Sequence, residues 1–252
     1  MRGPPPNPKR RGNMAPGANE ATSAPTTIPA PVGGWNARDP LANMNPLDCV
    51  VCTNIFPSTA SVALRPGSVA HATGFPSNVD SLMVYSSGTT SSLWAATSTG
   101  IYNATSAGAI GASALTTTNG RWHYANITTS GGSFLSAVNG VDKLALYNGT
   151  AWAYIDAAST PAITGVLTTV LSNICLWKRR LWFVQKNTMN GWYLPVDSIA
   201  GAATQFNFGA IFSMGGYLVD MASWTLDGGT GSEDLFVIVT SEGELAVYQG
   251  TG

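Results

Sequence analysis

A strand–turn–strand unit that closes on a tyrosine recurs four times, and it constrains the fold of this chain more than any other feature. The four copies run over Leu93–Asn103, Phe134–Gly149, Leu181–Pro195 and Leu235–Gly250. Their closing residues Tyr102, Tyr147, Tyr193 and Tyr248 are 45, 46 and 55 residues apart. A period of about 40–50 residues with four short strands per repeat is typical of β-propeller blades.

Each copy follows a stretch that is predicted to be a lead strand, and three copies precede a possible outer strand. The lead strands are predicted at Val79–Tyr85, Arg121–Ile127, Asn173–Trp177 and Tyr217–Trp224. The outer strands are predicted around Ala109–Leu115, Ala151–Ile155 and Thr204–Phe208. We therefore predict an all-β fold, a β-propeller-like array of about four four-stranded antiparallel blades with an extended N-terminal arm. A β-sandwich is the alternative, since it also gives alternating strands and frequent turns.

Three segments are predicted from the change in composition along the chain. Residues 1–32 are a Pro-rich arm that cannot bury enough apolar area to offset its chain entropy. Residues 33–78 form an opening segment with a β-hairpin, whose strands are predicted at Cys49–Cys52 and Ser61–Arg65 around a turn at Asn54–Ser58. Residues 79–252 form the propeller, with blades over 79–118, 119–165, 166–210 and 211–252.

The fourth copy has no candidate for an outer strand in this sequence. We expect either the hairpin over Cys49–Arg65 or further polypeptide to complete the ring of blades.

Charged residues make up 10% of the chain, against roughly 25% in a typical soluble domain. So little charge is unusual for a free monomer, and we expect other subunits to cover much of the surface. Residues 31–252 carry eight basic and twelve acidic side chains, and this mild acidity argues against a surface that grips nucleic acid. No apolar run approaches the ~20 residues of a membrane span.

The sequence contains no convincing catalytic, cofactor or metal motif, and none is predicted. Gly228–Gly231 lacks the lysine and hydroxyl residue of a phosphate loop. The acidic residues Asp227, Glu233 and Asp234 could bind calcium, but they lack the alternating ligand spacing, so a solvated loop is favoured. Cys49 and Cys52 have the spacing of a metal or redox pair. In a strand, however, residues three apart face opposite sides, and we expect these thiols to diverge.

The basic run within Trp177–Trp182 could bind single strands or phosphate. It lies between two predicted strands, and we interpret it as a tight turn that exposes its charges. Glu242 and Glu244 flank a turn glycine and are expected to be exposed. Aromatic residues recur at equivalent blade positions, and we expect core wedges rather than a ligand cage; they are Trp94, Tyr102, Tyr147, Trp182, Trp192 and Tyr193.

Several short stretches resemble one family of virion proteins. They are Gly33–Pro40, Asn54–Pro57, Leu64–Gly67, Lys178–Phe183 and Ser241–Gly250. They resemble the tail nozzle proteins of short-tailed bacteriophages, also called tail tubular protein B or packaged-DNA stabilisation protein. The resemblance runs from about Gly33 onward and is carried by short motifs of turn residues. Family members are usually much longer, so their channel-gating and distal parts have no counterpart in this sequence.

The resemblance implies a virion structural protein in the phage tail, assembled in the host cytoplasm. It implies a hexameric ring below the head–tail adaptor, which continues the DNA channel and helps retain and eject the genome. The implied partners are further copies, the adaptor ring, tail fibre or tail spike proteins, and double-stranded DNA in transit. The family has no catalytic residues to transfer.

A carbohydrate-binding or receptor-recognition propeller is the alternative, and it calls for a funnel lined with aromatic residues and paired carboxylates. A scaffold propeller unrelated to phage is a third possibility. Under the hypothesis of a nozzle protein, the charged and aromatic residues before the propeller are the candidate assembly interface. They are Lys9, Arg10, Arg11, Trp35, Arg38, Asp39, Phe56 and Arg65.

Overall fold

The computed structural model describes residues 27–88, 90–227 and 232–249. The chain divides into two compact units, Met1–Ser68 and Val69–Gly252. The described residues form 23 short strands and three 3-10 helices, with no α-helix among them. The all-β prediction is therefore confirmed.

The N-terminal unit contains two small ladders. Strand β1 (Gly34–Trp35) pairs in parallel with β2 (Asp48–Cys49), and β3 (Ile55–Pro57) pairs antiparallel with β4 (Val62–Leu64). A 3-10 turn at Leu41–Asn43 lies between β1 and β2.

Two local predictions for this unit are wrong. The strand predicted over Cys49–Cys52 stops at Cys49, and the turn predicted at Asn54–Ser58 contains β3. Proline is typical of turns, but it is also tolerated in an edge strand, and Pro57 ends β3. The hairpin turn follows it and is closed by hydrogen bonds between Ser58 and Ser61.

The C-terminal unit is a β-propeller-like array of antiparallel sheets, which we number 1 to 4 in chain order. Strand β5 (Ala72–Thr73), which precedes sheet 1, pairs in parallel with β9 (Gly108–Ala109), which lies before the last strand of that sheet in sequence. Sheet 1 contains β6 (Val79–Ser86), β7 (Ser91–Thr97), β8 (Gly100–Asn103) and β10 (Leu115–Thr116). Sheet 2 contains β11 (His123–Thr129), β12 (Gly132–Val138), β13 (Leu144–Tyr147) and β14 (Trp152–Ile155).

The second half of the array repeats this plan. Strand β15 (Ile163–Thr164), which precedes sheet 3, pairs in parallel with β19 (Gly201–Ala202), which lies before the last strand of that sheet in sequence. Sheet 3 contains β16 (Leu171–Trp177), β17 (Arg180–Gln185), β18 (Asn190–Tyr193) and β20 (Thr204–Asn207). Sheet 4 contains β21 (Leu218–Asp227), β22 (Ser232–Thr240) and β23 (Leu245–Tyr248). The other two 3-10 helices are Thr168–Val170 and Phe208–Ala210.

The strand order within each sheet follows the sequence repeat. The four lead strands β6, β11, β16 and β21 each start a sheet, and those of successive sheets lie against one another. The outer strands β14 and β20 match their predicted positions. In sheet 1, however, Gly108–Ala109 pairs with β5, and only Leu115–Thr116 joins the sheet as β10.

The boundary between the units lies ahead of Val79, the predicted start of the propeller. The reason is the parallel pairing of β5 with β9, which ties Ala72–Thr73 to the C-terminal unit. The hairpin β3–β4 stays a separate two-stranded sheet in this structure.

The hydrophobic core lies between the sheets, because successive residues of a strand point to opposite faces. In sheet 2, Ala137 and Tyr147 pack toward sheet 1, while Val138 and Leu146 pack toward sheet 3. The same alternation continues in sheet 3, where Phe183 joins the core shared with sheet 2. Its neighbours Trp182 and Val184 join the core shared with sheet 4. The predicted aromatic wedges at Trp94, Tyr102, Tyr147 and Trp182 are buried.

A partly buried turn, Asn139–Lys143, joins sheet 2 to the connection that follows sheet 1. Asp142 accepts hydrogen bonds from the Thr118 backbone and hydroxyl, the Asn119 backbone and the Asn139 side chain, over 2.6–3.3 Å. Burial raises the pKa of Asp142, but these hydrogen bonds outweigh that effect and lower it. The carboxylate thereby stabilises the link between the two sheets.

We predict that folding loses stability in acid through this carboxylate. Because the folded pKa is lowered, the contribution of Asp142 is complete above the unfolded pKa of about 3.9 and is lost as the pH falls through the folded value. Asp142→Asn should cost about 1 to 3 kcal/mol at pH 7 and should flatten the acid limb of a urea-unfolding series. Glu242→Gln, at an exposed turn, is the control. An unchanged acid limb in Asp142→Asn would contradict the prediction.

Candidate functional site

The first candidate region is the turn that follows β1. The Asn36 amide donates to Asp39 and Asp48 at 2.9 and 2.8 Å, and its carbonyl accepts from the backbones of Arg38 and Asp39 at 3.0 and 3.1 Å. The Arg38 guanidinium pairs with Asp39 at 2.9 Å. That bond, and then the bond from Asn36, lowers the pKa of Asp39.

The described part of the N-terminal unit has almost no interior. Among residues 27–68, Gly34 alone is buried. Large apolar side chains lie open instead: Trp35 is 69% exposed, Leu41 75%, Val51 73%, Phe56 56% and Leu64 80%. Backbone ladders and the Asn36 turn hold residues 27–68 together, because these residues share no hydrophobic core.

The structure brings some of the predicted interface residues together. Trp35 and Arg38 line one shallow hollow beside the Asn36 turn, and Asp39 pairs with Arg38 there. Phe56 lies on β3, and the Arg65 backbone donates to Asn54 at the base of the same hairpin, at 2.8 Å. Lys9, Arg10 and Arg11 lie outside the described residues.

The two cysteines of this unit lie together, contrary to the prediction. The chain leaves the strand after Cys49, so the period-2 alternation no longer separates the side chains. Burial, and then a hydrogen bond with Cys52, raises the pKa of the Cys49 thiol. A raised pKa disfavours the reactive thiolate. Among the described residues, no group of three or more potential metal ligands is present.

The basic run between β16 and β17 forms the predicted turn. Lys178 and Arg179 both have positive φ, +46° and +61°, as a two-residue hairpin turn of type I′ requires. All three basic side chains have partners within the chain. The Lys178 ammonium lies over the Trp177 ring, Arg179 pairs with Asp197, and Arg180 lies over the Tyr193 ring.

The second candidate region was not anticipated from the sequence. Ser81, His123, Asn173 and Asp220 occupy equivalent positions at the start of the four lead strands. In β6, β16 and β21 a register shift of the bulge type precedes this position, and a bulge re-aims the side chain that follows. We call these four residues the polar row.

The polar row links neighbouring sheets. The Ser81 hydroxyl accepts from the Trp122 backbone at 2.8 Å. The buried Asn173 amide donates to Asp220 at 2.6 Å and lies 3.4 Å from the His123 ring. The alternation of apolar residues along the strands does not predict the polar row. Bulges and inter-sheet distances are tertiary features, so only the repeat spacing could have pointed to these positions.

A groove of about 500 Å³ runs along the three lead strands β11, β16 and β21. Its polar lining includes His123, Asn126, Asn173, Asp220 and Ser223. Asp220 is the carboxylate among the residues that line it. Burial, and then the nearby Asp220, raises the pKa of the neighbouring Cys175 thiol to about 12, which keeps that thiol protonated.

Two of the other carboxylates singled out in the sequence accept hydrogen bonds within the chain. Glu244 is half-buried and accepts hydrogen bonds from Ser213 and Met214 at 2.8–3.0 Å, whereas Glu242 is exposed as predicted. The backbone bond from Met214, and then those from Ser213, lowers the pKa of Glu244. Asp234 accepts from Thr225 at 2.9 Å. The side chains of Asp227 and Glu233 lie outside the described residues.

No protein-family model matches the sequence, and no curated protein does. Among solved structures, the chain is similar to one described as BBS1N in complex with ARL6DN, a crystal structure soaked with mercury. The two are 14% identical with a TM-score of 0.40, over 68% of this chain and 51% of that chain. This chain thus spans about half the length of the protein it matches. Within the described residues, no helix is long and apolar enough to cross a membrane.

We predict that Asn173 and Asp220 are energetically coupled. Asn173→Ala should cost about 1.5 to 3 kcal/mol in urea unfolding, because it removes a hydrogen bond to a charged group. Asp220→Ala removes the charged partner of the buried amide, leaves it only the longer contact with His123, and should cost a similar amount. A double-mutant cycle should return a coupling of about 1 kcal/mol or more. Ser172→Ala is the neighbouring control, and additive costs in the cycle would refute the link.

Proposed function

We propose that this chain is a structural subunit of a short phage tail, in a nozzle ring below the head–tail adaptor. The proposal draws on the resemblance of the stretches in the opening segment, the β16–β17 turn and the β22–β23 hairpin described above. The proposed partners are further copies of the chain, the adaptor ring and tail fibre or spike proteins, with double-stranded DNA passing through the channel.

The observation that carries the proposal is that the described part of the N-terminal unit, residues 27–68, has one buried residue. A small two-stranded ladder is marginal in water by itself, and this unit exposes Trp35, Phe56 and Leu64. Together, side chains of this size at these exposures present several hundred Å² of apolar area, against the ~800 Å² that each partner buries in a standard interface. Phe56 and Leu64 lie on opposite faces of their hairpin, so this area is divided between two faces. A surface of this kind is suited to assembly.

The charge of the chain supports the same proposal. With 10% charged residues, it has less charge than isolated monomers use to stay soluble. Its body is mildly acidic, and an acidic wall repels phosphates, so DNA could slide past without being held. The basic residues of the β16–β17 turn are engaged within the chain, which reduces their availability to DNA.

We expect the purified full-length chain, or the particle that contains it, to give six-fold cryo-EM class averages with a central channel. Phe56→Asp should lower the ring fraction, since it places a charge in the exposed apolar set, while leaving the β-sheet circular dichroism unchanged. Leu167→Asp, an exposed leucine of the C-terminal unit, is the matched control. A monodisperse monomer across the concentration range would reject the nozzle proposal.

A carbohydrate-binding propeller is the second candidate, and the groove along the lead strands favours it. A carboxylate, a buried amide and an imidazole converge there within one hydrogen-bond network, as hydroxyl-rich ligands require. The paired carboxylates of a glycan-processing site are not among the described residues that line the groove.

The second candidate predicts binding on a glycan array. The wild-type chain should bind defined glycans, and Asp220→Ala should abolish that binding, because it removes the carboxylate acceptor from the groove. Glu242→Ala, outside the groove, should bind as the wild type does. Binding that survives in Asp220→Ala, or no binding by the wild type, would exclude the groove as a glycan site.

A further inference from the structure

Each sheet of the array presents an equivalent apolar position toward the sheet that follows it. The fourth residue after each member of the polar row occupies this position, and these residues are Tyr85, Ile127, Trp177 and Trp224. The first three are 4–7% exposed, because each joins the core shared with the following sheet. Trp224 is 60% exposed. Among the described residues, nothing therefore covers this position of sheet 4.

Sheet 4 exposes further apolar residues on the side of Trp224. Residues opposite each other in an antiparallel pair share a face, and so do residues two apart in a strand. Trp224 lies opposite Leu235, and Val247 lies opposite Val237, two residues further along β22. Val247 and Leu245 of β23 are 53% and 59% exposed. We call the surface formed by Trp224, Leu245 and Val247 the sheet 4 end face.

Sheet 1 exposes the opposite kind of face. The residue directly after each member of the polar row faces the preceding sheet, and these residues are Leu82, Tyr124, Ile174 and Met221. The last three pack in or against the cores shared with the preceding sheets. Leu82 is 58% exposed, and Val84, two residues further along β6, is 42% exposed. We call the surface formed by Leu82 and Val84 the sheet 1 end face.

The two end faces are the two halves of one kind of junction. At each junction within the chain, the face equivalent to the sheet 4 end face packs on the face equivalent to the sheet 1 end face. Both end faces are exposed in this structure, so sheet 4 does not cover sheet 1 of its own chain. A second copy supplies the missing half, because its sheet 1 presents the kind of face that covers sheets 1 to 3.

The charges near the two faces favour sheet 1 of the second copy over its sheet 4. Among the described side chains of residues 218–248, four are acidic and none is basic; they are Asp220, Asp234, Glu242 and Glu244. Two sheet 4 end faces would bring these like charges together, which disfavours binding. Residues 79–116, which contain sheet 1, carry Asp80 as their single charged side chain. A sheet 1 end face therefore adds little repulsion.

We propose that the sheet 4 end face binds the sheet 1 end face of a second copy of this chain. The contact buries the exposed apolar residues of both faces, as the equivalent residues are buried at the junctions within the chain. It joins two different surfaces of the same polypeptide, and such head-to-tail contacts close into rings or extend as filaments. The inference rests on the homo-oligomer of the proposed function and names the surfaces that would join its subunits.

A complementation experiment with the full chain tests this contact. One variant, Leu245→Glu/Val247→Glu, blocks the sheet 4 end face, and the other, Leu82→Glu/Val84→Glu, blocks the sheet 1 end face. Both add the same charge, so attraction between opposite charges cannot hold a mixture together. Leu167→Glu, at a leucine of the same unit that is 73% exposed, is the matched control. Circular dichroism and thermal unfolding establish that each variant keeps the fold, as expected for exposed positions.

Mass photometry and analytical ultracentrifugation provide the measurement. Each blocked variant alone should self-associate at least about tenfold more weakly than the wild type, as the loss of two interface anchors implies. An equimolar mixture should form dimers and stop there, because one intact pair of faces remains between the two variants. The control should assemble as the wild type does. Dimers in the mixture would also show that both variants fold.

The outcomes separate this inference from the proposed function. If either blocked variant alone assembles as the wild type does, the two end faces do not bind each other, although the ring of wild-type chains would stand. If the mixture stays monomeric while the wild type assembles, the head-to-tail contact is wrong. If the wild type is monomeric at all concentrations, both the inference and the nozzle proposal are overturned.

Discussion

Burial of both faces of the middle sheets is the constraint on which the rest of this structure depends. Sheets 2 and 3 have no solvent-facing side, so consecutive residues such as Ala137 and Val138 enter two different cores. A one-residue slip in such a strand would exchange the two sets of side chains, and the register is fixed for that reason. The lead strands, the closing tyrosines and the regular repeat all follow from stacking sheets of this kind.

Hydrogen bonds between the sheets determine which residues of one sheet meet which residues of the next, and the apolar cores alone do not. The cores hold the sheets together without direction, whereas the hydrogen bonds of Asp142 and of the polar row tie specific residues of one sheet to the next. Bonds between these carboxylates and the buried amides of Asn139 and Asn173 are costly to break, because a buried amide would lose its charged partner. The groove beside Asn173 and Asp220 lies along the same lead strands and is lined by members of the polar row.

The same constraint explains why the chain is suited to assembly. A stack of sheets buries its middle members fully but leaves its last face uncovered, and sheet 4 presents Trp224, Leu245 and Val247 there. In the N-terminal unit, the described residues 27–68 likewise expose apolar side chains and bury only Gly34. Exposed apolar surfaces of this kind favour association over a monomeric state. This is why we propose a structural role in preference to a catalytic one.

The sequence by itself determined the repeat, the all-β class, the four lead strands and the turn at Lys178–Arg179. Each of these is local: alternation fixes which residues face a core, and turn residues fix where a strand reverses. Only the tertiary structure decided the pairing of β5 with β9, the meeting of Cys49 and Cys52, and the row formed by Ser81, His123, Asn173 and Asp220. These features join residues tens of positions apart or depend on a bulge or a strand end. A periodic pattern carries no information about them, because it records the direction of a side chain and not the neighbour that it meets.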